Sequence, residues 1–345
     1  MKACVIYGAR DIRLEDRQDD ALGPRSVKVR VRAGGICGSD LHYYFEGRNG
    51  DYVIQEPLIP GHEFAGEVEA VGAEVGRVRV GDRVAVNPSR PCGGCRYCRQ
   101  GRENLCRRMV FLGSASKFPH IQGGFRESFT VDERQALKVA KALPFTTAAF
   151  AEPLSVALHA LTRAGSVFGK SVLVTGAGPI GQLAMLCAKR AGAARLAITD
   201  VVDAPLATAR GLGADAAINV AKGTGDLMDQ AASLDGFEVV LECVGNALAL
   251  RSAIEAAAPG ATIVQVGLLP AGDIPVLASK AMGKELDWKN AFRFADEFAA
   301  AVDILDRGLI DVTPLLTATV PAAEAARGFD LARDRNRSLK VQITF

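Results

Sequence analysis

The sequence predicts an α/β protein of two domains: an antiparallel β barrel or sandwich, then an open, doubly wound parallel sheet. Three observations carry that expectation. Short alternating segments broken by glycine run from about residue 26 to residue 90. From about residue 153 the texture changes to long apolar helical stretches alternating with β-branched runs. A chain of 345 residues with 49% hydrophobic content can bury a sizeable core and is more comfortable as two domains than as one.

In chain order, the segments SVKVRVRAGG, FAGEVEAVG and GDRVAV alternate with period two between turn residues, the mark of half-buried antiparallel strands. KSVLVTGAGPIGQLAMLCAKRAGAARLAITD then reads as strand, glycine turn, helix and strand, a βαβ unit that implies a parallel sheet covered on both faces. Further strands are expected at AAINV, FEVVLECVG and TIVQVGL, for roughly six in all. The last segment, SLKVQITF, alternates again and is expected to rejoin the first domain. The domains are therefore placed at 1–152 with 292–345, including a cysteine lobe at about 90–108, and at 153–291.

Forty-one basic residues against thirty-nine acidic ones give a net charge of +2, which supplies no field to attract nucleic acid or an anionic membrane. A small-molecule partner is expected. The opening residues MKACVIYGARDIRLEDRQ hold no secretory h-region and no long uncharged apolar run follows, so a cytoplasmic location is expected. In that reducing compartment the eight cysteines are metal ligands or buried thiols. Cys4, Cys187 and Cys243, each among apolar neighbours, take the second reading.

Gly176, Gly178 and Gly181 form G-x-G-x-x-G directly after the strand SVLVT, with Pro179 and Ile180 opening the following helix. In that setting the glycines make a tight turn, admit a pyrophosphate to the backbone and let helix and strand pack, the signature of a Rossmann dinucleotide site. Asp200 ends the next strand, where a carboxylate accepts the adenosine ribose hydroxyls and repels a 2′-phosphate. NAD is thus favoured over NADP.

Cys92, Cys95, Cys98 and Cys106 follow C-x2-C-x2-C-x7-C, which can close four thiolates around a structural zinc. A nucleic-acid knuckle is the rival reading, because six arginines surround the lobe, but Tyr97 is its one interleaved aromatic residue. For a catalytic metal the candidates are Cys37 in GGICGSDLH, His62 and Glu63 in PGHEFAG, and Glu152 in AAFAEPLSVALHAL. Each has an ordinary alternative as a buried thiol, core histidine, surface carboxylate or helix cap. Glu152 resists its own, since a carboxylate in so apolar a stretch must be hydrated, paired or metal-bound.

Together these motifs, with VGDRVAVNP and AFRF, resemble the zinc-containing medium-chain dehydrogenases across essentially the whole chain, and within them the sorbitol and polyol branch. GICGSDLHYYFEG, NPSRPCGGCRYC, GSASKFPHIQGGF and AFAEPLSVALHA look most like the L-idonate 5-dehydrogenases. The resemblance implies a GroES-like first domain to which the tail returns, two zinc ions per subunit, a homotetramer or homodimer, and a site in the cleft between domains. It implies that Cys37 and His62 bind the catalytic zinc, with Glu63 and Glu152 as alternative carboxylates for the remaining position. Ser39 and His42 match a proton relay to solvent, Tyr43, Arg293 and Phe294 match a polyol pocket, and Val266, Gly267 and Leu268 match backbone that holds the nicotinamide. Pro205 stands where sorbitol dehydrogenases commonly have arginine, and Phe294 where they have tyrosine.

The implied reaction is transfer of hydride from a secondary alcohol carbon to a nicotinamide, with zinc polarising the hydroxyl. A polyol or aldonate substrate is expected, L-idonate to 5-keto-D-gluconate first. Arg293 is the first candidate for a substrate carboxylate, then Lys117 and Arg126. Sorbitol, xylitol or threonine dehydrogenases are the alternatives within the superfamily. A catalytically silent metal-stabilised binding protein is the alternative of another class.

Overall fold

The alternation of Val27, Val29 and Val31 with Lys28, Arg30 and Arg32 makes Ser26–Gly35 an amphipathic strand, and its apolar side is fully buried. In the computed structural model, which describes residues 1–345, this strand is the centre of a seven-stranded sheet. The order is Ala136–Lys138, Arg83–Val86, Glu63–Val71, Ser26–Gly35, Lys340–Thr344 and Leu316–Pro321, with Ser128–Asp132 also pairing Ser26–Gly35. Its core is built from Val29, Phe64, Val68, Val84, Val86 and Phe129.

The second sheet has six parallel strands in the order Ala216–Asn219, Arg195–Asp200, Ser171–Thr175, Phe237–Glu242, Ala257–Gln265 and Asp287–Asn290. Ser171–Thr175 is buried at every position, as a central parallel strand covered on both faces must be. The order reverses between Ser171–Thr175 and Phe237–Glu242, the place where such sheets open a crevice for ligands.

The chain divides into two compact units, Met1–Glu152 with Phe298–Asp334 and Lys340–Phe345, and Pro153–Glu297 with Arg335–Leu339. Residues 292–297 and 335–339, expected with the first unit, cluster with the second. Side-chain bonds explain both shifts. Glu297 accepts from Ala295 N at 2.8 Å and lies 2.8 Å from His159 Nδ1, while Arg335 pairs with Asp200. No helix is long and apolar enough to cross a membrane.

Candidate active site

Strand register assembles the first site. Gly35 is paired with Glu63 on one side and with Gln342 on the other, so Cys37, His62 and Lys340 are each brought to the end of the same three strands. Cys37 Sγ, a His62 ring nitrogen and a Glu63 carboxylate oxygen lie within 4.8 Å of one another. His62 and Glu63 are buried. His62 Nδ1 has no hydrogen bond and stands 3.7 Å from Asp40 Oδ1, so the imidazole is poised between a carboxylate and the donor cluster. Sulfur, imidazole and carboxylate fit a catalytic zinc in number and kind.

Three further residues shape this cluster, and sequence reasoning passed over all of them. Asp40, fully buried, accepts from Cys37 N at 3.0 Å and Gly61 N at 3.2 Å, tying the two ligand-bearing loops together. Lys340, also buried, places its Nζ 2.7 Å from Glu63 Oε1 and 2.5 Å from Oε2, and donates to Ile36 O at 3.0 Å. Burial alone would depress its pKa, but the facing Glu63 and Cys37 outweigh it and hold the ammonium above the ordinary lysine value. Gly35 leaves room for Glu63: a Cβ there would stand 2.1 Å from Glu63 Oε2. In SLKVQITF Lys340 shares the polar phase of the alternation with Gln342 and so reads as solvent-facing, whereas the sheet buries both phases of this strand.

Glu152 enters on the first turn of the helix Ala151–Ala164 and is buried. It stands outside the cluster of three ligand atoms. Burial raises its carboxyl to about 8, with the positive influence of His62 opposed by Glu63 and Cys37. In metal-free protein the sign follows from linkage. The folded pKa exceeds the unfolded one, so the stabilisation is complete below about 4.5 and is lost as pH rises to about 8. Glu152→Gln should therefore come close to wild type at pH 4 and exceed it by several kcal/mol above pH 8. Urea unfolding in chelator at the two pH values measures the difference, and an equal gap at both would refute this reading.

The four-cysteine lobe closes on itself. Its sulfurs lie within 4.8 Å of one another, and none is in a disulfide. Cys92 N and Arg108 N approach Cys106 Sγ at 3.3 and 3.4 Å, and Arg108 Nη2 lies 3.5 Å from Cys92 Sγ. The Gly94 N–H leads the donors that hold the Cys92 thiol down at about 6, while burial and neighbouring thiols push Cys98 up to about 12. Four free thiols held this close fit a shared cation. The arginines have work within the lobe: Arg102 and Arg107 stand over the Tyr97 ring at 5.8 and 6.0 Å.

In the second unit, Gly176 has φ 85°, and a Cβ on Gly181 would stand 1.8 Å from Gly176 O, so both positions of the turn demand glycine. Gly178 caps the helix Pro179–Arg190, with Pro179 at its first position and Ile180 next. The helix N-terminus thus opens at the crevice. A cavity of about 710 Å³ there is lined by Gly176, Gly178, Thr199, Asp200, Val244 and Arg335 among others. That cradle fits a dinucleotide. Val266 N and Gly267 N both donate to Glu242 O at 2.8 Å, which fixes the backbone leading to the exposed Leu268. Glu242, unremarked in the sequence, is fully buried and accepts from Thr175 Oγ1, Val244 N and Gly245 N.

Ser39 and His42 lie on the helix Gly38–Glu46, and His42 Nδ1 is exposed at 2.9 Å from Glu46 Oε1. Tyr43, on the same helix, is buried and its hydroxyl accepts from Ala115 N at 3.0 Å. Arg293 adopts φ 56° and stacks on Phe292, and Phe294 is buried. Lys117 is exposed. Arg126 is no candidate for a substrate carboxylate: it is buried, ion-paired to Asp20 at 2.9 Å and stacked on Phe129.

Residues 23–141 match the family model for the alcohol dehydrogenase GroES-like domain, and residues 179–307 match that for zinc-binding dehydrogenases. The chain is 36% identical to an L-idonate 5-dehydrogenase (NAD(P)(+)) of Escherichia coli, covering 100% of this chain and 98% of that one. It is 34% identical to a sorbitol dehydrogenase of Bacillus subtilis, covering 99% and 97%. The crystal structure of an Escherichia coli L-idonate 5-dehydrogenase superposes with a TM-score of 0.94 at 36% identity, over 100% of this chain and 98% of that one.

Proposed function

Since the chain belongs to the zinc-dependent medium-chain dehydrogenases, NAD(P)-dependent enzymes of alcohols and polyols, we propose that it oxidises a secondary alcohol of a sugar acid, L-idonate to 5-keto-D-gluconate first. The class, a polyol or sugar-acid dehydrogenase acting on a small molecule, rests on whole-length similarity to such enzymes. The observation behind its chemistry is the cluster of half-buried Cys37 with buried His62 and Glu63. Arg293, in the AFRF segment, is the first candidate for the carboxylate of such an acid. Its guanidinium can take a carboxylate bidentately. Sorbitol is the second reading, favoured by nearly equal identity to a sorbitol dehydrogenase.

Cys37, His62 and Glu63 would hold the catalytic zinc, with Glu152 beside it, and the four-cysteine lobe the structural zinc. When bound, zinc supplies Lewis acidity to a hydroxyl oxygen and the nicotinamide accepts the hydride. The chain's own residues position and move protons. Asp40 faces the Nδ1 side of His62 at 3.7 Å and holds the Cys37 and Gly61 loops in place through their N–H groups. Ser39 passes the hydroxyl proton to His42, whose exposed ring, steadied by Glu46, delivers it to water. Asp200 favours NAD over NADP to the extent that its charge is not offset by a neighbouring cation. The active form is a homotetramer or homodimer.

NAD reduction by zinc-replete protein, with and without chelator, should be faster on L-idonate than on sorbitol by at least about tenfold in kcat/KM and should vanish with metal removal. The reverse order would move the assignment to sorbitol. No turnover of any secondary alcohol would leave the silent binding protein as the better reading.

A further inference from the structure

Asp200 has no acceptor capacity to spare. Its Oδ1 accepts the N–H groups of Val201 and Val202 at 2.7 and 3.0 Å, and its Oδ2 that of Ala177 at 2.8 Å and an N–H of Arg335. A carboxylate offers about four lone-pair positions. Ribose hydroxyls can therefore reach it only if a donor gives way or shares. Three of the donors are backbone amides fixed by adjoining turns. The fourth is a long side chain, 45% exposed against 2% for Asp200.

Arg335 also lines the 710 Å³ cavity with Gly176, Gly178, Thr199 and Val201. It is carried there by residues 335–339, which fold with the nucleotide-binding unit although the segments on both sides belong to the other. Pro205 contributes no cation, only a carbonyl that accepts from Gln182 Nε2 at 2.7 Å.

We propose that Arg335 is the cofactor-specificity residue of this pocket: with one N–H kept on Asp200, the other donors of its guanidinium pair with an adenosine 2′-phosphate, so that the site takes NADPH as well as NADH. A bare carboxylate here repels a 2′-phosphate, whereas an arginine beside it accommodates one. The ion pair with Arg335 already offsets the charge of Asp200. The guanidinium has five N–H donors in a fork that matches phosphate geometry, and its bond to Asp200 occupies one of them. An unphosphorylated ribose leaves the pair in place and shares the carboxylate with it. The proposal rests on the nucleotide reading of this cavity and is independent of the substrate.

Calorimetric titration of zinc-loaded protein with NADH and with NADPH tests it. Wild type should bind NADPH within about tenfold of NADH. Arg335→Ala should weaken NADPH by at least about tenfold and NADH by less than about threefold, with Arg335→Lys between, because an ammonium cannot make the bidentate pair. An unchanged NADPH-to-NADH ratio in Arg335→Ala overturns the assignment, as does wild type that binds NADH but not NADPH. Wild type that binds neither would instead remove the nucleotide reading on which the assignment stands.

Discussion

Cys37→Ser should reduce kcat at least about a thousandfold while leaving the NADH dissociation constant within about threefold of wild type. The hydroxyl keeps the shape of the thiol but is a poor ligand for zinc, so the soft member of the donor set is lost while His62 and Glu63 remain. A loss of several kcal/mol of transition-state stabilisation is the expected scale for a Lewis acid that is no longer held. Nucleotide binding should persist because the glycine turn, Asp200 and Arg335 all belong to the other folding unit. Steady-state turnover, a zinc assay and an NADH titration on one preparation read all three quantities. Loss of NADH binding together with turnover would mean that Cys37 acts in folding rather than in holding the metal.

The parts of the molecule legible in the sequence are those whose chemistry is local. Gly176 to Gly181 lie on one turn, and the four cysteines of the lobe span fifteen residues, so spacing alone displays them. Period-two alternation likewise exposes Ser26–Gly35, because a strand's two faces are written in consecutive residues. Lys340 and Arg335 were hidden for the opposite reason. Each pairs with a residue more than a hundred positions away, Glu63 and Asp200, and nothing in the neighbourhood of either names its partner. The same nonlocality moved the unit boundaries, since residues 292–297 and 335–339 follow Glu297 and Arg335 to their partners rather than the periodicity of their own segments. Asp40 was overlooked on a helix whose polar residues look solvated in sequence, yet it is buried and bonded to Cys37 and Gly61.

Lys340→Met should destabilise the metal-free protein by ~3–5 kcal/mol, the cost of leaving the buried Glu63 carboxylate without its partner. In zinc-loaded protein the loss should be markedly smaller, because a dication held by Cys37, His62 and Glu63 supplies countercharge to the same carboxylate. Linkage then requires the converse: if zinc offsets the substitution, folded Lys340→Met must bind zinc more tightly than wild type by the same free energy. Urea unfolding with and without zinc gives the first quantity and competition with a chromophoric chelator the second. The double variant Lys340→Met with Glu63→Gln distinguishes charge from packing. Removing both charges should recover much of the stability lost in the single variant, as replacing a whole buried pair does, while a fully additive loss would show that the lysine stem rather than its ammonium holds the strands together. Equal destabilisation in the presence and absence of zinc would mean that Lys340 and the metal do not compete for Glu63, and Glu152 would then become the stronger candidate for the carboxylate ligand.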